Sequence, residues 1–113
     1  MRLETQKLLE DIRQAAEAIQ RYTHQKTLNQ YFQDDQLQAS VERKFEIIGE
    51  ALNRLHRLDP HIVEGIEDYD KIIAFRDTLI HGYSAVDNRV VWDIASNHLP
   101  KLAKTIQNLL GCE

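Results

Sequence analysis

The sequence predicts an all-α protein, an up-and-down bundle of four main helices with one short extra helix, in a single domain spanning residues 1–113. Three observations carry that expectation. Apolar residues recur at spacings of three and four along most of the chain, as in helices that bury one face. Only four Gly and two Pro occur, with 42% hydrophobic and 28% charged residues, which suits a helix-rich globular composition. No segment alternates with period two for long enough to make a strand.

The first helix is expected from about residue 3 to about residue 23. Leu8, Leu9, Ile12, Ala15, Ala16 and Ile19 fall at helical spacing there, with Glu, Gln and Arg between them. Thr27-Leu28-Asn29-Gln30 has the pattern of a capping box and opens the short extra helix, which holds Tyr31 and Phe32. Asp35, with Gln38 three positions later, marks the start of the next long helix. Its stripe is Leu37, Val41, Phe45, Ile48, Leu52 and Leu55, and a partial second stripe of Ile47, Ala51 and Leu58 widens the buried face. Gly49 costs about 1 kcal/mol in a helix interior relative to Ala, so close approach of another backbone is its expected use. Asp59-Pro60 then ends the helix and starts a connector.

The third main helix is expected to start near Asp68. Ile72, Ile73, Ala74, Phe75, Leu79 and Ile80 occupy more than one of its faces, which points to a central place in the bundle or a partly buried subunit interface. Gly82 supplies a left-handed residue to close it. After the turn YSAVDN, Asp87 caps a final helix carrying Val90, Val91, Ile94, Leu102, Ile106, Leu109 and Leu110. Pro100 should kink or split that helix, because it removes the bond to the carbonyl four residues back.

Composition narrows the function. Fourteen basic against eighteen acidic side chains give a formal charge of −4, which argues against bulk, non-specific binding of nucleic acid. No apolar run reaches the length of a membrane span. The N-terminal MRLETQKLLEDIRQ mixes both charge signs without an apolar signal core, and the single cysteine, Cys112, can form no internal disulfide. A reducing cytoplasm is the expected location.

The chemistry concentrates in FRDTLIHGY, residues 75–83. Arg76 and His81 are five residues apart, about 140° around an ideal helix, whereas Asp77 and His81 are four apart and share a face. The carboxylate can therefore orient the imidazole. Arg76 and Tyr83 are seven apart, with Gly82 expected to break the helix between them. Spacing alone does not make the four groups converge. Together they suit cleavage of a phosphodiester in RNA. An imidazole exchanges a proton with the 2′-hydroxyl or the leaving oxygen near neutral pH. A guanidinium holds the phosphate in a bidentate fork and stabilises the charge of the transition state. This chemistry requires neither metal nor cofactor. The histidines at 24, 56, 61, 81 and 98 form no i, i+4 pair with a nearby carboxylate, so no zinc site is expected. The bland alternative is an ordinary helix terminus, with Arg and His favoured by the macrodipole, Asp77 paired with a neighbouring base and Tyr83 packed as an amphipathic lid.

The segment RDTLIHGY resembles the R-x4-H-x-Y motif of the HepT toxins, members of the HEPN superfamily of small helical bundles. FEIIGEAL, at 45–52, is similar to that family's second-helix stretch, and VVWDIASNHLPKL, at 90–102, to the start of its last helix, with Trp92 and the internal proline. The resemblance covers most of residues 35–110. It implies a homodimer in which two motifs face each other, and a metal-independent endoribonuclease with Arg76 and His81 as the catalytic pair. Asp77 matches the polar residue that follows the arginine. Tyr83 matches the tyrosine that a cognate minimal nucleotidyltransferase antitoxin modifies with AMP, in a type VII-like toxin–antitoxin module. An adenylate on that phenol adds bulk and negative charge where substrate phosphate should sit.

Other features have two readings each. Glu42, Glu46 and Glu50 form a ladder at i, i+4 spacing, either a solvated face relieved by Arg43 and Arg54 or one from which Glu46 or Glu50 reaches Arg76 and fixes its fork. Lys44, Arg54, His56 and Arg57 form either a solvated strip or a basic path for RNA. Trp92 is expected in the core or a dimer interface. A second function, from another class, is a non-catalytic helical partner that dimerises, docks a nucleotidyltransferase and holds a nucleotide in the same pocket. Only the ribonuclease needs His81 for chemistry. A bare structural bundle leaves the motif unexplained.

Overall fold

Leu9, Ile12, Ala16 and Ile19 lie buried along one side of a helix from Leu3 to Thr23 (α1), and Val41, Phe45, Ile48, Leu52 and Leu55 along one side of another from Asp35 to Leu58 (α3). These two stripes meet and form the spine of the core. Each fully buried Leu, Ile or Phe contributes about 1.5–3 kcal/mol relative to exposure. The computed structural model describes residues 1–81 and 86–111. Around the spine stand α2 (Leu28–Phe32), α4 (Pro60–Glu64), α5 (Tyr69–His81), α6 (Asn88–Asp93), a π-helical turn (Ile94–His98) and α7 (Leu99–Gly111). Among the described residues there is no strand. α1 packs on α3 and α7, and α3 packs on α5. The molecule is 19 Å in its thinnest direction, about two helix diameters. The expected all-α bundle is therefore the observed one.

Local sequence explains most of the boundaries. The Thr27 hydroxyl accepts from the Gln30 amide at 3.1 Å, and the Gln30 side chain accepts from the Thr27 amide at 2.9 Å, completing the capping box. At the start of α3 the cap is Asp34, which accepts from the Leu37 amide at 3.0 Å, and not Asp35. Gln38 turns back instead, donating to the Tyr31 carbonyl at 2.9 Å and tying α2 to α3. Asp87 caps α6 as expected, through the Arg89 amide at 2.9 Å. Gly82 and Cys112 lie outside the described residues.

One reading of the sequence needs revision, and two that left alternatives open become definite. The connector after Asp59 holds a helix, α4, because proline at its first turn starts a helix as readily as it stops the preceding one. Val63 and Ile66 anchor this segment in the core. The final helix is split one residue ahead of Pro100. This is the split expected from Pro100: the Leu99 amide donates to the Ile94 carbonyl five residues back, a widened turn just ahead of the residue that lacks a donor. Of the two places expected for α5, the centre of the bundle is not the one it takes. It packs on α3, buries Ile72 and Leu79, and leaves Ala74 and Ile80 exposed.

Aromatic contacts set the relative positions of these helices. Phe45 and Phe75 meet edge to face with centroids 5.4 Å apart, holding α5 on α3. Tyr31 is fully buried against Trp92 at 5.3 Å, joining α2 to α6. Burial, with help from the Glu42 charge, pushes the Tyr31 phenol well above its usual range. His56 stacks on Tyr69 at 5.5 Å.

Candidate active site

The site begins with a missing side chain. Gly49, buried on α3, is where α5 crosses, and Arg76 runs directly over it. A Cβ built on Gly49 would overlap the Arg76 Cβ and stand 2.7 Å from its Cγ. The expected close approach at Gly49 is thus real, and what approaches is the stem of Arg76. From this seat the guanidinium reaches one residue along α3, where its Nη2 donates to Glu50 Oε2. Its Nη1 donates to Asp77 Oδ1 at 2.9 Å. The Nε is buried, and among the described residues it has no hydrogen-bond partner. Arg76 is 22% exposed, so its head is held in place yet open to solvent on one side.

Of the carboxylate ladder, then, Glu50 takes the role of fixing the arginine. Glu46 pairs with Arg43 at 3.4 Å, and Glu42 sits half-buried behind it. Desolvation and the Glu46 charge raise the Glu42 carboxyl above its ordinary value. Arg76, Glu50 and Asp77 together carry one positive and two negative charges, so both ends of the arginine fork hold carboxylates.

Asp77 does not orient His81 as the i, i+4 spacing suggested; it has turned to Arg76 instead. A full guanidinium is the stronger partner for a carboxylate, and it is one residue away. His81 is the last residue of α5 and is exposed, and among the described residues no side chain hydrogen-bonds to its ring. Five positions along the helix set it about 7.5 Å and about 140° from Arg76. The single chain therefore presents the guanidinium and the imidazole separately. Tyr83 lies outside the described residues. Among the described residues no group of three or more His, Cys, Asp or Glu side chains could hold a metal ion.

Beside Arg76 is an open groove of about 400 Å³, bounded by Leu8, Arg43, Glu46, Glu50, Arg54 and Ile80. Arg43 and Arg54 were not among the residues that the motif picks out. Their signal was nonetheless present: on α3, positions 43, 46, 50, 54 and 57 recur at threes and fours on one face with Glu50. The proposed basic strip divides accordingly. Arg54 joins this face, while His56 stacks on Tyr69 elsewhere.

A family model described as "Ribonuclease HepT-like" matches residues 12–109, which contain Gly49, Glu50, Arg76, Asp77 and His81 together. The chain belongs to this family. Among its HepT-like relatives is a protein of Thermococcus cleftensis named "Probable ribonuclease HepT", 35% identical over 105 residues that cover 89% of this chain and 91% of the relative. A "Gamma-glutamylcyclotransferase and putative RNase" of Methanocaldococcus jannaschii is 33% identical over 115 residues, and this chain spans 49% of its length. A "Putative RNase" of the same organism is 29% identical over 107 residues, covering 90% of this chain and 84% of that one. No solved structure gives a significant match. In this HepT-like chain no helix of the described residues is long and apolar enough to cross a membrane.

Proposed function

We propose that this HepT-like protein is a metal-independent endoribonuclease acting as a homodimer. The observation that carries the reading is the seat of Arg76: a glycine opposite it, a carboxylate fixing it and a groove in front of it, in a chain of this family. The 2′-oxygen attacks the adjacent phosphorus and the bond from phosphorus to the 5′-oxygen breaks, leaving a 2′,3′-cyclic phosphate and a 5′-hydroxyl. Arg76 holds the phosphate oxygens, exchanging Asp77 for them, and stabilises the added charge. His81 handles the proton at the 2′-hydroxyl or the leaving oxygen.

A second copy supplies the convergence that one helix does not. Arg76 and His81 diverge around α5, and exposed Ile80 leaves apolar surface of that helix uncovered beside Arg76. Adenylylation of Tyr83 by a cognate minimal nucleotidyltransferase silences the enzyme, making it the toxin of a type VII-like toxin–antitoxin module located in the cytoplasm.

The occupied fork of Arg76 favours a second reading, a non-catalytic partner that docks a nucleotidyltransferase and holds a nucleotide. Incubating RNA with unmodified protein in EDTA, beside His81→Ala, separates the two. Cyclic phosphate ends from the parent alone support the ribonuclease. Intact RNA with both, when mass spectrometry finds Tyr83 free of AMP, favours the docking partner.

A further inference from the structure

We propose that Arg54 and Arg57 form a phosphate track that leads an RNA strand away from Arg76 along the groove between α1 and α3. The inference rests on the ribonuclease reading above. The groove at Arg76 does not end there. It continues into a larger one of about 860 Å³, whose walls include Leu3, Lys7, Arg57 and Leu58, and the two share Leu8, Asp11 and Arg54.

Charge pairing distinguishes the cations along this path. Lys7 is held by Asp11 at 2.6 Å, Arg43 by Glu46 at 3.4 Å, and Arg76 by Glu50. Arg54 and Arg57 are exposed, and among the described residues neither has a hydrogen-bond or ion-pair partner. A guanidinium without an internal carboxylate meets a phosphate without first losing a partner, which makes these two the free charges of the groove.

Their placement gives the track a direction. Arg54 and Arg57 lie five and eight residues beyond Gly49, about 7.5 and 12 Å along α3. Glu4 and Asp11 face them from α1, so repulsion places a strand's phosphates against α3. Among the described residues no aromatic side chain lines either groove, so what these walls offer a strand is charge for its phosphates. The track therefore binds backbone and reads no sequence. A local track of this kind is compatible with the overall charge of −4, which opposes only a protein-wide field.

The test uses a 2′-O-methyl RNA of about 12 nucleotides, which is longer than the path and lacks the attacking hydroxyl. Its affinity for the protein of residues 1–113 is followed by fluorescence anisotropy across a salt series. For Arg54→Gln/Arg57→Gln, the slope of log affinity against log salt should fall by about 1.4, about 0.7 for each lost single-strand phosphate contact. Lys101→Gln/Lys104→Gln removes the same charge from α7 and should leave the slope unchanged. Thermal melts of both variants establish that they are folded. RNA binding by the parent with an unchanged slope in the arginine variant overturns the track while leaving the ribonuclease reading intact. An equal fall in the α7 variant overturns it too, since the effect is then bulk charge. Absence of RNA binding by the parent removes the ribonuclease reading, and the track with it.

Discussion

Gly49 of α3 lies directly beneath Arg76 of α5, so close that a methyl group on the glycine would overlap the arginine's Cβ. A helix interior tolerates glycine at a cost of about 1 kcal/mol, so Gly49→Ala should stabilise α3 by that amount if nothing else changed. The clash is with Cβ and Cγ, which cannot move without moving α5. Overpacking of this kind costs about 1–3 kcal/mol. We expect Gly49→Ala to lower stability by about 1 kcal/mol and to weaken RNA cleavage more than stability alone explains. Urea unfolding beside a cleavage assay measures both. A variant as stable and active as the parent contradicts the seat.

Glu50 and Asp77 both hold Arg76, but they should not be equivalent. Glu50 comes from the neighbouring helix and fixes where the fork sits, whereas Asp77 is the more exposed and the one that phosphate displaces. Glu50→Gln should reduce kcat by about ten- to a hundredfold through misplacement of the guanidinium. Asp77→Asn should change it far less. The opposite order in steady-state kinetics would show that the two carboxylates have been assigned the wrong way round. Arg76→Lys, which keeps the charge but loses the fork, should be at least as damaging as Glu50→Gln.

Tyr31 is the buried group whose polar atom is hardest to account for. Its hydroxyl has no hydrogen-bond partner among the described residues, while its ring packs against Trp92. Removing a buried unsatisfied hydroxyl relieves a desolvation cost of about 1–3 kcal/mol. Tyr31→Phe should therefore melt at the same temperature as the parent or higher. A clear loss of stability would reveal a partner for that oxygen.

Two carboxyls give the fold opposite dependences on pH. The hydrogen bond from Arg13 holds Glu10 down to about 2, against an ordinary value of 4.5. Its stabilisation is complete above that ordinary value and is lost as pH falls toward about 2. Because the pair is on the surface, it amounts to a few tenths of a kcal/mol. Glu42 is raised by desolvation and by Glu46, so its ionised form destabilises the fold. Glu42→Gln should raise the melting temperature at pH 7, and that gain should shrink on acidification as the parent's carboxyl becomes neutral. Melting curves from pH 7 downward test both signs.

Much of the site could be read in the chain because local rules govern it. Arg76 and His81 stand out as cation and imidazole near a helix end, and Gly49 stands out because an interior glycine needs a reason. The ladder of Glu42, Glu46 and Glu50 flagged a carboxylate for the arginine without saying which one. That choice depends on the height at which α5 crosses α3, a contact between residues 26 positions apart. Asp77 shows the converse error, since helical spacing paired it with His81 before the position of the Arg76 fork was known.

Hydrophobic period, capping residues and prolines are local, and they alone determined the all-α class, the extents of α1 and α3, the capping box at Thr27 and the break before Pro100. The short helix at Pro60 escaped because a single turn carries too little periodicity to separate it from a connector. Packing between distant segments decided the rest: that α5 stands at an edge, that Glu50 rather than Glu46 holds Arg76, and that Arg54 and Arg57 are left unpaired beside it. Side-chain spacing along a helix specifies which face a residue occupies, but only the neighbouring helix specifies what that face meets.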